Sequence, residues 1–98
     1  MHIRFLEIAQ IAMDEAVDHY HAERRGLGDE FLGEVLVGLG LLGAHPSAWQ
    51  RFTGNVRRFR MRRFPYAIVY EFAEAQITVV AVSHLHREPG YWRNRISK

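Results

Sequence analysis

The fold class is decided by residues 66–83, which read YAIVYEFAEAQITVVAVS. The run from Tyr66 to Phe72 and the run from Ile77 to Ser83 are rich in β-branched and aromatic residues, which is typical of strands. The four residues between the runs, 73–76, predict a tight connection. Because the second run is nearly all apolar, we expect it to be a central strand that is buried on both faces.

The segment before Pro65 predicts another strand, from Val56 to Phe64, that carries a high density of positive charge. Side chains alternate between the two faces of a strand. This alternation places Arg58, Arg60 and Arg62 on one face. The other face then carries Arg57, Phe59, Met61 and Arg63.

The first half of the chain predicts two amphipathic helices. From Ile8 to about Arg24, apolar residues recur every three or four positions and acidic residues fall opposite them. Glycines at 26 and 28 interrupt this pattern, and Asp29 then offers an N-cap or first-turn carboxylate for a second helix. The segment 45–47, which contains a proline, ends that helix. Its apolar stripe is Phe31, Leu32, Val35, Leu36, Leu39 and Leu42.

A short strand within residues 2–7 precedes the helices, and a basic tail from Tyr91 to Lys98, with a possible final helical turn, follows the strands. The predicted order is therefore strand, helix, helix and three strands. The economical packing places a helical hairpin on one face of an antiparallel sheet, with a short C-terminal tail or helix. We expect one α+β domain over residues 1–98, because 98 residues is the size of a single domain.

The net charge of +2 hides a strong asymmetry along the chain. Residues 1–48 contain three arginines and eight acidic residues, for a net charge of −5. Residues 49–98 contain ten basic and three acidic residues, for a net charge of +7. A concentrated positive surface indicates a nucleic acid or an acidic protein segment as the partner. The alternative is that the arginines only solvate the open face of the sheet.

Several classes of protein are disfavoured by what the sequence lacks. The chain contains no cysteine, which excludes disulfides and thiolate metal sites. It shows neither an N-terminal signal pattern nor the ~18 consecutive apolar residues of a membrane span. It also lacks both common glycine-rich phosphate-binding patterns. We therefore expect an unexported, cytoplasmic protein without a cofactor.

A series of motifs runs through the chain in a particular order. An alanine-rich helix ending in Asp18, His19 and Tyr20 is followed by the glycine link 26–28, by Pro46, by residues 62–70 (RRFPYAIVY) and by residues 81–92 (AVSHLHREPGYW). In this order and spacing, they resemble the RelE/ParE superfamily of bacterial toxins from type II toxin–antitoxin systems, over essentially the whole chain. The resemblance implies a growth-inhibiting toxin of the plasmid-stabilisation type. A cognate antitoxin would hold it inactive by wrapping an acidic segment around it.

The resemblance also indicates where a nuclease site would lie. Metal-free RNA cleavage needs a base for the 2′-hydroxyl, positive charge at the scissile phosphate and an acid for the leaving oxygen. On the pattern of RelE-like nucleases, Arg58 and Arg60 match two basic residues of the first strand after the helices, and Arg87 matches the phosphate-stabilising arginine. The candidate catalytic residues are Arg58, Arg60, His84, His86, Arg87 and Tyr91.

Two residues depart from the nuclease pattern. Ala67 stands where RelE-like nucleases place an arginine directly after the tyrosine of the next strand, and Tyr91 lies early in the tail by about two positions. A nuclease would then need His84 or His86 as its acid or base. These histidines share a face at a strand end, but no third ligand completes a zinc site, so we expect no metal.

Three functions therefore stay open. The first hypothesis is a ribosome-dependent mRNA endonuclease. The alternatives are a non-enzymatic inhibitor of DNA gyrase, as ParE-like members are, and a nucleic-acid-binding module without toxicity. Whether it is an enzyme is left open with them. For a toxin, Arg58, Arg60 and Arg62 are also expected to be the docking strip for antitoxin carboxylates.

Overall fold

The computed structural model describes residues 2–96. Within that range the chain forms two α-helices, five strands and one 3₁₀ turn. The helices are α1 (Glu7–Glu23) and α2 (Leu27–Ala44). The strands are β1 (Ile3–Phe5), β2 (Gln50–Thr53), β3 (Val56–Arg60), β4 (Tyr66–Ala73) and β5 (Gln76–His84).

The five strands form one mixed sheet in the order β1-β5-β4-β3-β2. The pairs β3–β4 and β4–β5 are antiparallel, as expected, and β2 also pairs antiparallel with β3. The expectation of a fully antiparallel sheet was wrong at one edge, where β1 runs parallel to β5. Strand direction depends on the path of the intervening chain, which hydrophobic periodicity does not report.

Four strands follow the helices within residues 2–96, rather than the three expected from the sequence. The additional strand is β2, which pairs with β3 across a turn in which Gly54 has a φ of 52°. β2 has four residues, and three of them are exposed. It therefore lacks the apolar alternation by which a strand is identified from sequence.

The two helices form the predicted hairpin. Gly26, with a φ of 83°, ends the turn between them and precedes α2. A Cβ atom at Gly28 would lie only 2.6 Å from the backbone oxygen of Val17, so the helices approach closely there. Asp29 lies in the first turn of α2, where its charge is favourable for the helix dipole.

α2 lies on the sheet along a row that passes through Gly38. A Cβ atom at Gly38 would be 2.9 Å from Cε1 of Phe59, so only glycine allows this approach without a shift. Leu36 was expected in the buried stripe but is 59% exposed. The prediction was wrong because α2 faces the sheet with the row of residues that contains Gly38. A sequence pattern counts a glycine as an interruption of an apolar stripe, so it does not identify this row as the buried one.

The main core lies between the helices and the sheet. Tyr70 of β4 is fully buried there, and its hydroxyl donates to the carbonyl oxygen of Pro46 at 2.7 Å. Burial raises the pKa of Tyr70 to about 12, although Arg57 acts in the opposite direction. The residues of β5 from 79 to 82 are buried on both faces, as expected for a central strand.

The opposite face of the sheet is covered by the chain that follows β5. Trp92 is buried there with Val69 and Val80. The expected helical turn in this tail is confirmed as a 3₁₀ turn at Arg93–Arg95. Residues 97 and 98 of the predicted tail, like residue 1 of the predicted domain, lie outside the described residues. No helix among residues 2–96 is both long enough and apolar enough to cross a membrane.

Candidate functional site

β3 presents Arg58 and Arg60 on the face of the sheet that the tail covers. Arg58 pairs in register with Val69, which is buried under the tail. Arg57 projects to the other side, where its Nη1 donates to the carbonyl oxygen of Trp49 at 2.9 Å. The predicted alternation therefore holds along β3 as far as Arg60.

Arg62 does not share the strand face of Arg58 and Arg60. The predicted strand to residue 64 was wrong, because β3 ends at Arg60 and the chain bends between residues 62 and 65. Oε1 of Glu34 accepts hydrogen bonds from the backbone N–H groups of Arg62 and Arg63, at 3.0 and 2.8 Å. One carboxylate oxygen of α2 thus ties the bend to the helix.

A second carboxylate of α2 strengthens this anchor. The guanidinium of Arg63 donates to Oε1 of Glu30 at 2.6 Å. This hydrogen bond, together with the charges of Arg24 and Arg63, holds the pKa of Glu30 below its ordinary value. Sequence reasoning missed Glu30 and Glu34, although two glutamates four positions apart lie on one side of a helix and can share a contact.

Half of the six candidate catalytic residues meet at a small cavity under the tail. Arg58, His84 and Arg87 line it, together with Ala67 and Trp92. Its volume is about 50 Å³, well below the roughly 300–1,000 Å³ of small-molecule sites. Ala67 is only 2% exposed and presents a methyl group where the nuclease pattern has an arginine. The lining carries two arginines and one glutamate, Glu88, and the cavity has no room for a nucleotide.

Arg87 is also engaged in holding the tail. Its guanidinium carbon lies 4.0 Å from the ring centroid of Tyr91, and that of Arg95 lies 5.2 Å from the same centroid. Contacts of this kind contribute about 0.5–2 kcal/mol each, depending on exposure. Tyr91 lines a neighbouring cleft of about 200 Å³ between α1 and the tail, and His84 and Arg87 line this cleft as well. Tyr91 itself does not face the cavity that Arg58 lines.

His84 ends β5, and its ring accepts a hydrogen bond. The backbone N–H of His86 donates to Nδ1 of His84 at 3.0 Å, so the neutral ring carries its proton on Nε2. The ring of Tyr66 packs edge-on against His84 at 5.1 Å, and burial, with Tyr91 nearby, raises the pKa of Tyr66. In residues 2–96 no three histidine or acidic side chains group as metal ligands.

The other candidate residues lie outside the cavity. Arg60 is exposed and lines a shallow surface with Arg62, Pro65 and Leu85. His86 is exposed beyond the end of β5. The structure thus brings Arg58, His84 and Arg87 together at one cavity, and His84, Arg87 and Tyr91 together at the neighbouring cleft, whereas Arg60 and His86 line neither of them.

Comparisons with known proteins identify the family to which this chain is similar. The model of the ParE toxin of type II toxin-antitoxin system, parDE, matches residues 3–89. Among solved structures, a chain of the chromosomal ParDE TA system from P. aeruginosa is similar at 17% sequence identity and a TM-score of 0.68. That match covers 86% of this chain and 95% of the other. A search of curated proteins found no match.

These findings agree with the motifs and with the architecture. At 17% identity the solved structure establishes a shared fold, whereas the family model extends from β1 through β5 to the start of the tail. The resemblance to the RelE/ParE superfamily is thereby confirmed. The chain belongs to the ParE toxin family of type II toxin–antitoxin systems.

Proposed function

We propose that this chain is a toxin that a cognate antitoxin neutralises, and that it arrests growth by binding DNA gyrase rather than by cutting mRNA. The observation that carries the proposal is the buried Ala67. A nuclease that works without a metal stabilises the charge that develops on the phosphate with converging cations. Here a methyl group occupies the position at which RelE-like nucleases place one of those cations.

The surroundings of Arg87 support the same conclusion. Its guanidinium lies over the ring of Tyr91 and lines a cavity of about 50 Å³. A phosphodiester would have to displace the tail in order to reach both Arg87 and Arg58. Binding to a protein target does not require displacement of the tail, because it uses the outer surface of the molecule.

A nuclease is the second candidate, because one observation favours it. Arg58, His84 and Arg87 line a single cavity, which provides two cations and a group able to transfer a proton. Ribosome-dependent cleavage at this cavity would require the tail to move when mRNA binds. The two candidates therefore make different predictions about RNA and about substitutions at this cavity.

The surface for the antitoxin is proposed to include Arg60 and Arg62. Both are exposed and line one shallow surface, and their guanidinium groups form no ion pair with an acidic side chain among residues 2–96. They lie in the half of the chain whose net charge is +7. An acidic segment would gain charge-assisted hydrogen bonds there.

The deciding experiment is induced expression of the toxin, with and without the antitoxin encoded by the neighbouring reading frame. We expect growth arrest, trapped complexes of gyrase with cleaved DNA, and unchanged 5′ ends of cellular mRNA. Co-expression of the antitoxin should restore growth. Codon-spaced cuts in mRNA without trapped gyrase complexes would establish the nuclease instead, and absence of growth arrest would favour a non-toxic nucleic-acid-binding module.

Substitutions at the cavity provide a second test. Arg58→Ala and Arg87→Ala should retain growth arrest, as should the matched control Arg51→Ala, which changes an exposed arginine of β2. Circular dichroism should first confirm that each variant is folded. Loss of arrest in both folded cavity variants, with the control still toxic, would contradict gyrase binding as the mechanism and place function at the cavity.

A further inference from the structure

Phe52 is an exposed aromatic side chain on the edge strand β2. It keeps 37% of its surface accessible, whereas the other aromatic side chains of residues 2–96 are partly or fully buried. Its ring lies on the tail side of the sheet, edge-on to the buried Trp92, with the two ring centroids 5.1 Å apart. An aromatic ring that stays open to solvent offers its surface to a planar ligand group.

Arg93 holds a cation beside this ring. Its guanidinium carbon lies 5.5 Å from the ring centroid of Phe52. The side chain of Arg93 also lies across Gly90, which has a φ of 80°, and a Cβ atom at that position would overlap Nε of Arg93. Packing against Gly90 and Phe52 therefore positions the guanidinium. A positioned arginine loses less conformational freedom when it binds a ligand.

The charge around the ring is positive. Arg58 and Arg87 share the lining of one cavity with Phe52, and the acidic residue of that lining is Glu88. With Arg93 included, three arginines are balanced by one glutamate. None of these arginines forms an ion pair with an acidic side chain among residues 2–96. An anionic ligand is therefore favoured at this surface.

The open ring distinguishes between two kinds of anionic partner. A nucleotide carries a planar base and a phosphate in one unit, so its base stacks on an aromatic ring while an arginine binds its phosphate. The acidic side chains of a peptide would bind Arg93 but supply no planar base for Phe52. In a duplex the bases are already stacked on one another. Phe52 and Arg93 together therefore match a single strand of nucleic acid.

We propose that Phe52 and Arg93 form a contact site for single-stranded nucleic acid. A base stacks on the open part of the Phe52 ring, and the adjoining phosphate binds the guanidinium of Arg93. The charges of Arg58 and Arg87 attract the strand, which does not enter the cavity that they line. Neither Phe52 nor Arg93 is among the candidate nuclease residues, so the site is separate from them. It holds whether the target is gyrase or mRNA.

Binding is measured by the fluorescence anisotropy of labelled strands mixed with the purified chain. The probes are oligothymidylate and oligouridylate of about 12 nucleotides, which distinguish DNA from RNA as the preferred strand. We expect at least one of them to bind, with an affinity that falls as salt rises. Phe52→Leu should weaken this binding by about tenfold, because leucine has no π-face. Arg93→Gln should weaken it by at least about threefold and lower the salt slope by about one.

The matched control is Arg51→Gln, which removes the same charge from an exposed neighbour of Phe52. Arg51 pairs in register with Arg57, which projects to the helical side of the sheet, so the control lies on the other face. It should weaken binding by less than about twofold, since solvent screens its charge. Circular dichroism should show that each variant is folded. Equal affinities of the parent, Phe52→Leu and Arg93→Gln would overturn the proposal, as would an equal loss in Arg51→Gln and Arg93→Gln.

Two further probes separate the base from the charge in the unsubstituted chain. An abasic sugar-phosphate strand of the same length should bind about tenfold more weakly than the oligonucleotide, because it has nothing to stack on Phe52. Polyglutamate of equal charge should compete poorly for the site. An abasic strand that binds as tightly as the oligonucleotide would overturn the proposal. Polyglutamate that competes as well as an unlabelled oligonucleotide would also overturn it, because the partner would then be an acidic protein segment.

Discussion

The two faces of the sheet are covered by different kinds of structure. On one face, two regular helices bury large side chains, among them the fully buried Phe31, Val35 and Ile77. On the other face, a tail with one 3₁₀ turn covers a smaller cluster around Trp92. Apolar burial therefore holds the helices, because it scales with the area removed from water.

The tail depends more on arginine. Nη1 of Arg95 donates to the carbonyl oxygen of Val80 at 3.0 Å, and the stack of Arg87 on Tyr91 adds a second attachment. The guanidinium of Arg93 lies 5.5 Å from the ring centroid of Phe52. Arg58 and His84 thus lie beside the less regular cover, and Arg87 belongs to it. Local opening there should require less free energy than opening of the helical side.

The largest expected effect is on the helical face. Phe31→Ala should lower the free energy of unfolding by about 3–5 kcal/mol, because it removes a fully buried ring and leaves a cavity. Urea unfolding followed by circular dichroism measures the change. The control Phe31→Leu should cost much less. A loss below about 1 kcal/mol for the alanine variant would mean that the helical face does not dominate stability.

A smaller effect is expected on the tail face. Trp92→Ala should cost roughly 2–3 kcal/mol, below the usual range for a buried aromatic residue, because the tail can detach and let water fill the space. Hydrogen exchange should show faster exchange in β5 near the tail and unchanged protection in α1. Equally faster exchange in β5 and α1 would show that the two covers of the sheet do not differ in local stability. The conservative control is Trp92→Phe.

The smallest effect concerns the hydroxyl of Tyr70. Tyr70→Phe should cost about 1 kcal/mol at neutral pH, because the carbonyl oxygen of Pro46 loses its donor. The pKa of Tyr70 is raised from 10.0 to about 12, so the neutral phenol stabilises the fold below pH 10 and this contribution is lost as the pH rises through 12.

The advantage of the parent chain over Tyr70→Phe should therefore shrink above pH 10. Urea unfolding of both proteins at about pH 7, 9 and 11 measures it. An advantage that stays constant up to pH 11 would show that this phenol does not have a raised pKa in the folded state.

Local patterns predicted the elements that are regular in themselves. The apolar spacing of α1, the glycine break before α2 and the alternation of Arg57 through Arg60 are each properties of a few neighbouring residues. β5 was also recognised, because burial on both faces requires an almost unbroken apolar run. The convergence of Arg58, His84 and Arg87 was expected from the resemblance and follows from the antiparallel register of β3, β4 and β5.

The missed features depend on contacts between residues far apart in the chain. β2 becomes a strand only through its pairing with β3, and Arg62 leaves the strand face because Glu34, 28 residues earlier, binds the backbone of the bend. Tyr91 was assigned to the same site as Arg58, but it lines the cleft beside α1. None of these distances is encoded in periodicity.

By itself, the sequence determined the fold class, the helical hairpin and the unequal distribution of charge, because propensity and apolar spacing act over a few residues and charge is simply counted. Only the tertiary structure decided which arginines share a surface, which face of α2 stays exposed and what covers the second face of the sheet. Those outcomes depend on the close approach of α2 at Gly38 and on the packing of Trp92. Both contacts join segments that lie far apart in the sequence.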